Sequence, residues 1–245
     1  RQILADSGTS STVDDALFHL CDRIGPRFAG TPGYREAADF MLSRFESCAL
    51  DTAYLEPFEF PAWERMAPAS CDVLSPISRA LPACSLPCAA ATLPEGLEAE
   101  LVDVGDGAAE TVEAAAEQIT GRIVLTTAKA RHRQNVYAHC VEKGAAGFAL
   151  GGTIPGGILG TGTVAEVSGG SIPAISVSQE DREFLQRHLK RDIVRLRMLT
   201  HCRTHVATTW NVVGEITGSE CPEELVLIGG HLDSHDVGPC AYDNG

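Results

Sequence analysis

Basic side chains are scarce in this 245-residue chain: Lys and Arg total 19 against 33 Asp and Glu, a formal net charge of -14. No cluster beyond Arg131-His132-Arg133 is present to neutralise phosphates, which argues against a nucleic-acid partner and leaves the acidic surface as an aid to solubility. Long apolar runs are missing too. None approaches the roughly 18 residues that cross a bilayer, and the start, RQILADSGTSST, is neither Met-initiated nor a signal peptide, so it reads as a trimmed end. There is no C-x-x-C pair among the nine cysteines, hence no zinc-ribbon pattern. There is no G-x-S-x-G nucleophile elbow, so a metal-independent hydrolase has no support. The glycine-rich run Gly151 to Thr163 lacks G-x-x-x-x-G-K-[ST] and contains Pro155, so it reads as a loop rather than a phosphate cradle.

What is present is a 44% hydrophobic chain with enough material for one large domain or two ordinary ones. Ser11 or Thr12 can cap a first helix with Val13, Leu17, Leu20 and Ile24 at helical spacing, closed by Gly25-Pro26. Thr31 as N-cap and Pro32 at the first helical position start a second, whose stripe is Tyr34, Ala37, Ala38, Met41, Leu42 and Phe45. A short irregular strand is expected from Ala53 to Phe60, interrupted by Pro57 and closed by Pro61. Composition then shifts to Pro, Ala, Ser and Cys. In that stretch Cys71, Cys84 and Cys88 leave both a disulfide and unpaired thiols open.

The middle of the chain alternates. Strands are predicted over Leu101–Val104, Arg122–Thr127, Ala146–Leu150, Ile172–Val177 and Val194–Val206, with helices over His132–Lys143 and Asp181–Lys190 and a polar helix or loop over Ala108–Gln118. Trp210–Ile216 and Leu225–Gly230 are read as two further strands joined by a polar turn, compatible with a hairpin in a mixed sheet. A helix-helix-strand front and a strand-strand end, with a mixed insert between, is the pattern of one domain interrupted by another. The boundaries are set at 1–68, 69–206 and 207–245.

The stretch LVLIGGHLDSHDVGPCAYDNG, from Leu225 to Gly245, carries the chemistry. His231 and Asp233 stand two apart on an extended segment and project from one side of it. One imidazole nitrogen is then placed to bind a metal while Asp233 reaches the other and fixes the tautomer. Asp243, beyond Gly238 and Pro239, supplies a second carboxylate, and its two oxygens suit the bridging of two ions about 3.5–4 Å apart. Other clusters are less telling: His201 and Cys202 face opposite sides of a strand, His132 and His139 lack a third partner, and Glu110, Glu113 and Glu117 read as a solvated face.

At these residues the sequence resembles the co-catalytic dizinc exopeptidases (bacterial aminopeptidase and carboxypeptidase Q-like), whose first metal segment is typically G-G-H-x-D-S followed by D-[DN]-G. Asn211–Ile216 resembles the strand before that segment, and Leu20–Met41 the family's N-terminal helical region with G-P-R-x-x-G-[ST]. GRIVL, KGAAGFAL and SIPAISVSQED are similar to a protease-associated (PA) domain. The resemblance implies an α/β fold: a partial mixed-sheet zinc-exopeptidase core interrupted by a PA-like α/β insert. It implies two zinc ions in the complete enzyme, with His231 a ligand, Asp243 the bridging carboxylate and Asp233 orienting His231. Asn244 stands where many relatives have a second Asp, and His235, where some have Trp, is read as a non-ligand. The general-base Glu and the remaining ligands are expected beyond Gly245. On that expectation the chain is a C-terminally truncated metallo-exopeptidase, inactive alone, binding zinc weakly, with peptide as substrate and a secreted or extracytoplasmic setting. The alternative is a non-catalytic PA-like protein-binding module beside a remnant peptidase core.

Overall fold

The structure is a computed structural model that describes residues 12–239, 241 and 243. It divides into two compact units, one formed by Pro61–His205 and the other by the chain up to Phe60 together with the chain from Val206. The divisions fall inside two long strands, β1 (Thr52–Ser75) and β8 (Arg195–Glu215).

The 61–205 unit contains most of a mixed α/β sheet. With β2 (Arg79–Leu81), β3 (Cys84–Ser85), β4 (Leu97–Asp103), β5 (Ile123–Thr126), β6 (Gly147–Gly151) and β7 (Ala174–Val177), the eight strands run in the order β2-β1-β8-β4-β5-β6-β7-β3. The pairs β4–β5, β5–β6 and β6–β7 are parallel, whereas β3 on β7 and β8 on β4 are antiparallel. Strands β5, β6 and β7 are short, nearly continuous apolar runs because both faces of the sheet are covered there. Period-two alternation sends Ile123, Leu125, Ala149 and Ile175 into one core and Val124, Phe148 and Ala174 into the other.

Numbering the helices of the whole chain in order, α1 is Thr12–Phe18, α2 Pro32–Glu46, α3 Ala109–Ala114, α4 Ala116–Ile119, α5 Arg133–Glu142 and α6 Gln179–Leu189. Helix α6 seals the first core through Leu185, while α3, α4 and α5 seal the second through Val112, Ile119, Val136 and Cys140. It starts two residues earlier than its apolar stripe indicates, because the Ser178 hydroxyl accepts from the Asp181 N–H at 3.0 Å and caps it. The glycine-rich run is a loop, whose Gly156 and Gly157 N–H groups donate to the Glu180 carboxylate at 2.7 and 3.2 Å. The carboxylate is held below the usual range chiefly by the Gly156 N–H. Glu113 is not simply solvated: it accepts from Lys143 and pairs with His139, each at 2.8 Å.

The expected strands differ in three ways. Strand β1 does not close at Pro61 but continues through Pro57, Pro61 and Pro68. Its pairing with β2 covers only Cys71–Val73, so all three prolines lie outside that ladder. The strands expected at Val194–Val206 and Trp210–Ile216 are one, β8, since Ala207-Thr208-Thr209 contains no turn residue and Thr209 is buried. The strand and hairpin expected at Leu225–Gly230 do not form; these residues have no place in the sheet order.

The disulfide left open among Cys71, Cys84 and Cys88 does not form. Burial pushes Cys71 and Cys140 from the ordinary value of 9.0 up to about 12. The unfolded chain therefore releases these protons first, and their contribution to stability is present in full below about pH 9 and is lost as pH rises toward about 12. The urea midpoint of the chain is expected to fall across that window. A Cys71→Ala, Cys140→Ala double variant whose midpoint falls just as steeply would contradict this.

In the other unit, α1 runs into a π-helical turn, His19–Ile24, closed when the Gly25 N–H bonds back five residues to the Leu20 carbonyl at 2.9 Å. Gly25 has φ +73° and Pro26 cannot donate, so the helix stops there. Ser11, one of the two expected caps, lies outside the described residues, and Val13 and Leu17 are exposed rather than packed. Thr31 caps α2 as expected, accepting from the Tyr34 N–H at 3.4 Å. Leu20, Cys21 and Ala37 form a small core, against which Ile24, Phe40 and Leu232 pack.

Candidate metal site

The segment that carries the candidate ligands has two physically different halves. Leu225–Ile228 is 85–91% exposed, so its apolar side chains find no neighbours. From His231 to Ser234 the chain is held. Leu232 enters the small helical core and Ser234 is buried, whereas His231 and Asp233 face outward. Alternation along an extended segment produces this split, even-numbered residues inward and odd-numbered ones outward.

His231 Nδ1 lies 2.9 Å from Asp233 Oδ1, and His231 Nε2 lies 3.3 Å from Asp243 Oδ1. The second oxygen of Asp243 is 3.5 Å from His235 Nε2. The three expected site residues are thus brought together, with Asp243 between two imidazoles. Asn244, the neighbour discussed above, lies outside the described residues. Among the described residues, no three His, Cys, Asp or Glu side chains converge closely enough to hold a metal ion.

Tyr34 is close by, its hydroxyl donating to the Trp210 carbonyl at 2.7 Å. Burial raises its pKa, the bond to Thr209 opposes that rise, and the charge of Asp233 adds to it. Sequence reasoning missed Arg27. This arginine is fully buried, its Nε donates to the Leu232 carbonyl at 2.8 Å, and its backbone N–H donates to the Ser234 hydroxyl at 3.0 Å. The signal that could have found it was the G-P-R triplet, read only as part of a family pattern.

The donor chemistry fits zinc. A neutral imidazole nitrogen and a carboxylate oxygen are ordinary zinc donors, and two ligands at tetrahedral angles with bonds of about 2.0–2.2 Å stand about 3.3 Å apart. The His231–Asp243 separation has that value.

Residues 211–245 match the model of peptidase family M28. Human carboxypeptidase Q is 30% identical over 245 residues, covering 94% of this chain and 51% of that protein. The crystal structure of a peptidase M28 precursor from Shewanella amazonensis superposes with a TM-score of 0.81 at 29% identity, over 99% of this chain and 59% of that one. In sequence and fold this chain is similar to M28 peptidases. A zinc aminopeptidase from Bacillus subtilis shares the fold, with a TM-score of 0.72 at 20% identity over 94% of this chain and 53% of that one. The chain spans about half the length of the curated relatives it matches. The M28 match begins at Asn211, inside β8, and takes in the whole candidate site. Among the described residues, no helix is long and apolar enough to cross a membrane.

Proposed function

We propose that this chain carries the first zinc-binding segment of a metallo-exopeptidase that hydrolyses peptide bonds near a chain terminus. His231 is a ligand, Asp243 the carboxylate shared by two ions, and Asp233 the group that orients His231. The observation that carries this reading is the double engagement of His231, Nδ1 on Asp233 at 2.9 Å and Nε2 toward Asp243 at 3.3 Å. Zinc, when bound there, supplies Lewis acidity for polarising a peptide carbonyl and acidifying water. The chain's own residues do the rest of the positioning. Asp233 holds the imidazole proton on Nδ1, which leaves the Nε2 lone pair directed at the metal position. Asp243 offers its second oxygen on the side of His235.

Residues 69–206 are read as a PA-like insert, the residues before 69 and after 206 being two pieces of one peptidase domain. Support comes from the way the two outer pieces form a unit of their own and from the helix-covered mixed sheet between them. A second reading, a PA-like protein-binding module without catalysis, is favoured by one observation: among the described residues no group of three His, Cys, Asp or Glu side chains is arranged to hold a metal ion.

Zinc titration separates the two. The peptidase reading expects one saturable site on this chain, weakened roughly 10–100-fold by Asp233→Asn, because an imidazole that loses its orienting partner binds metal less well. Calorimetry that shows no saturable zinc site, or an Asp233→Asn chain with unchanged affinity, favours the binding module.

A further inference from the structure

A buried guanidinium needs a reason, since taking the charge out of water is costly unless its donors are satisfied. Arg27 is 0% exposed. Its Nη1 reaches the Leu20 and Gly25 carbonyls, both at 3.3 Å, which closes the end of the π-helical turn. Its Nε reaches across 205 residues of sequence to the Leu232 carbonyl at 2.8 Å. The backbone continues the same contact: the Arg27 N–H donates to Ser234 Oγ at 3.0 Å, and the Ser234 N–H donates to the Arg27 carbonyl at 3.2 Å. One residue therefore holds positions 232 and 234, the two that flank Asp233 and alternate with His231.

Its loop is braced from the other side as well. A Cβ on Gly33 would lie 2.3 Å from the Pro26 carbonyl oxygen, so the first turn of α2 closes directly on the residue before Arg27, and only glycine permits it. Leu232 packs onto the small core formed by the same helices. Upstream, where these contacts are absent, Leu225–Ile228 lies exposed.

We infer that Arg27 is the positioning residue of the metal segment: by fixing the backbone at Leu232 and Ser234 it presents His231 and Asp233 outward in the relative orientation that a metal requires. This rests on the zinc reading of His231 given above. Arg27 touches neither ligand side chain and acts through the backbone between them.

The test compares Arg27→Met, Arg27→Lys, Ser234→Ala and His231→Ala with the wild-type chain by zinc affinity, in competition with a chromogenic chelator, and by amide hydrogen exchange of residues 232–235. Arg27→Met is expected to weaken zinc roughly 10–100-fold, the range seen when an orienting contact is removed, and to speed exchange at Ser234. Arg27→Lys should recover only part of the loss, since a compact ammonium cannot span carbonyls on both sides as the guanidinium fork does. Ser234→Ala keeps the guanidinium and removes the hydroxyl that accepts from the Arg27 N–H and donates to the His235 carbonyl, and is expected to weaken zinc several-fold; it carries the test if Arg27→Met fails to fold. Wild-type zinc affinity in Arg27→Met or Ser234→Ala, alongside loss in His231→Ala, overturns the inference. If His231→Ala leaves zinc binding unchanged, the zinc reading itself has failed. Exchange at 232–235 then decides for Arg27 alone, with unchanged rates in Arg27→Met refuting its positioning role.

Discussion

Replacing His231 with Ala is expected to reduce zinc affinity by at least about 100-fold, the largest functional effect of any single substitution in this chain. The magnitude follows from what is lost. Removing a partner that merely orients a ligand already weakens metal binding about 10–100-fold, and His231→Ala removes the ligand nitrogen itself. It also leaves Asp233 and Asp243, both substantially exposed, without the imidazole that lies between them. Competition against a chelator of known affinity measures the change, and an affinity within threefold of wild type would rule His231 out as a ligand. The wild-type chain alone is expected to give no turnover of a chromogenic aminoacyl substrate, since among the described residues no group of three side chains is arranged to hold a metal ion. Turnover by these 245 residues that disappears in His231→Ala would show that view to be wrong.

Phe148→Ala is expected to destabilise the 61–205 unit by about 3–5 kcal/mol, the range for deleting a fully buried aromatic side chain. Phe148 is 0% exposed on β6, paired with Ala174 on one side and Val124 on the other. Its ring meets Tyr137 of α5 edge-on, with centroids 5.5 Å apart and an interplanar angle of 74°, so truncation opens a cavity and removes an aromatic pair together. The surroundings cannot easily close that cavity. Tyr137 is fixed at its far end, where its hydroxyl donates to the Ile172 carbonyl at 2.8 Å and accepts from the Ile172 N–H at 3.0 Å. Urea unfolding followed by the fluorescence of Trp63, buried in the same unit, reads the loss. Phe148→Leu, which preserves more of the volume, is expected to cost about 1.5 kcal/mol or less. A Phe148→Ala midpoint equal to wild type would mean that the second core is not packed as described.

The parallel strands were legible because each is an apolar run bounded by a helix or a glycine, and no competing structure buries such a run as well. Helix α2 was legible for another local reason, a Thr-Pro start that fixes its first turn. The prolines of β1 misled. A proline forbids a ladder bond only on the side where its N–H would point, and which side has a neighbour is a property of the sheet rather than of the residue. Leu225–Ile228 misled in the opposite sense. Its pattern is that of a strand, but a strand needs a partner, and none of the described strands lies beside it.

By itself the sequence determined the chemistry of the candidate site, because the i, i+2 spacing of His231 and Asp233 and the late carboxylate of Asp243 are local facts. It also determined the two-faced parallel core, whose residues alternate whatever surrounds them. Only the tertiary structure decided that the outward pair is held from behind. The tie between Arg27 and residues 232–234 spans more than 200 positions, and no periodicity or spacing can encode a contact between a buried guanidinium and a carbonyl that distant in the chain.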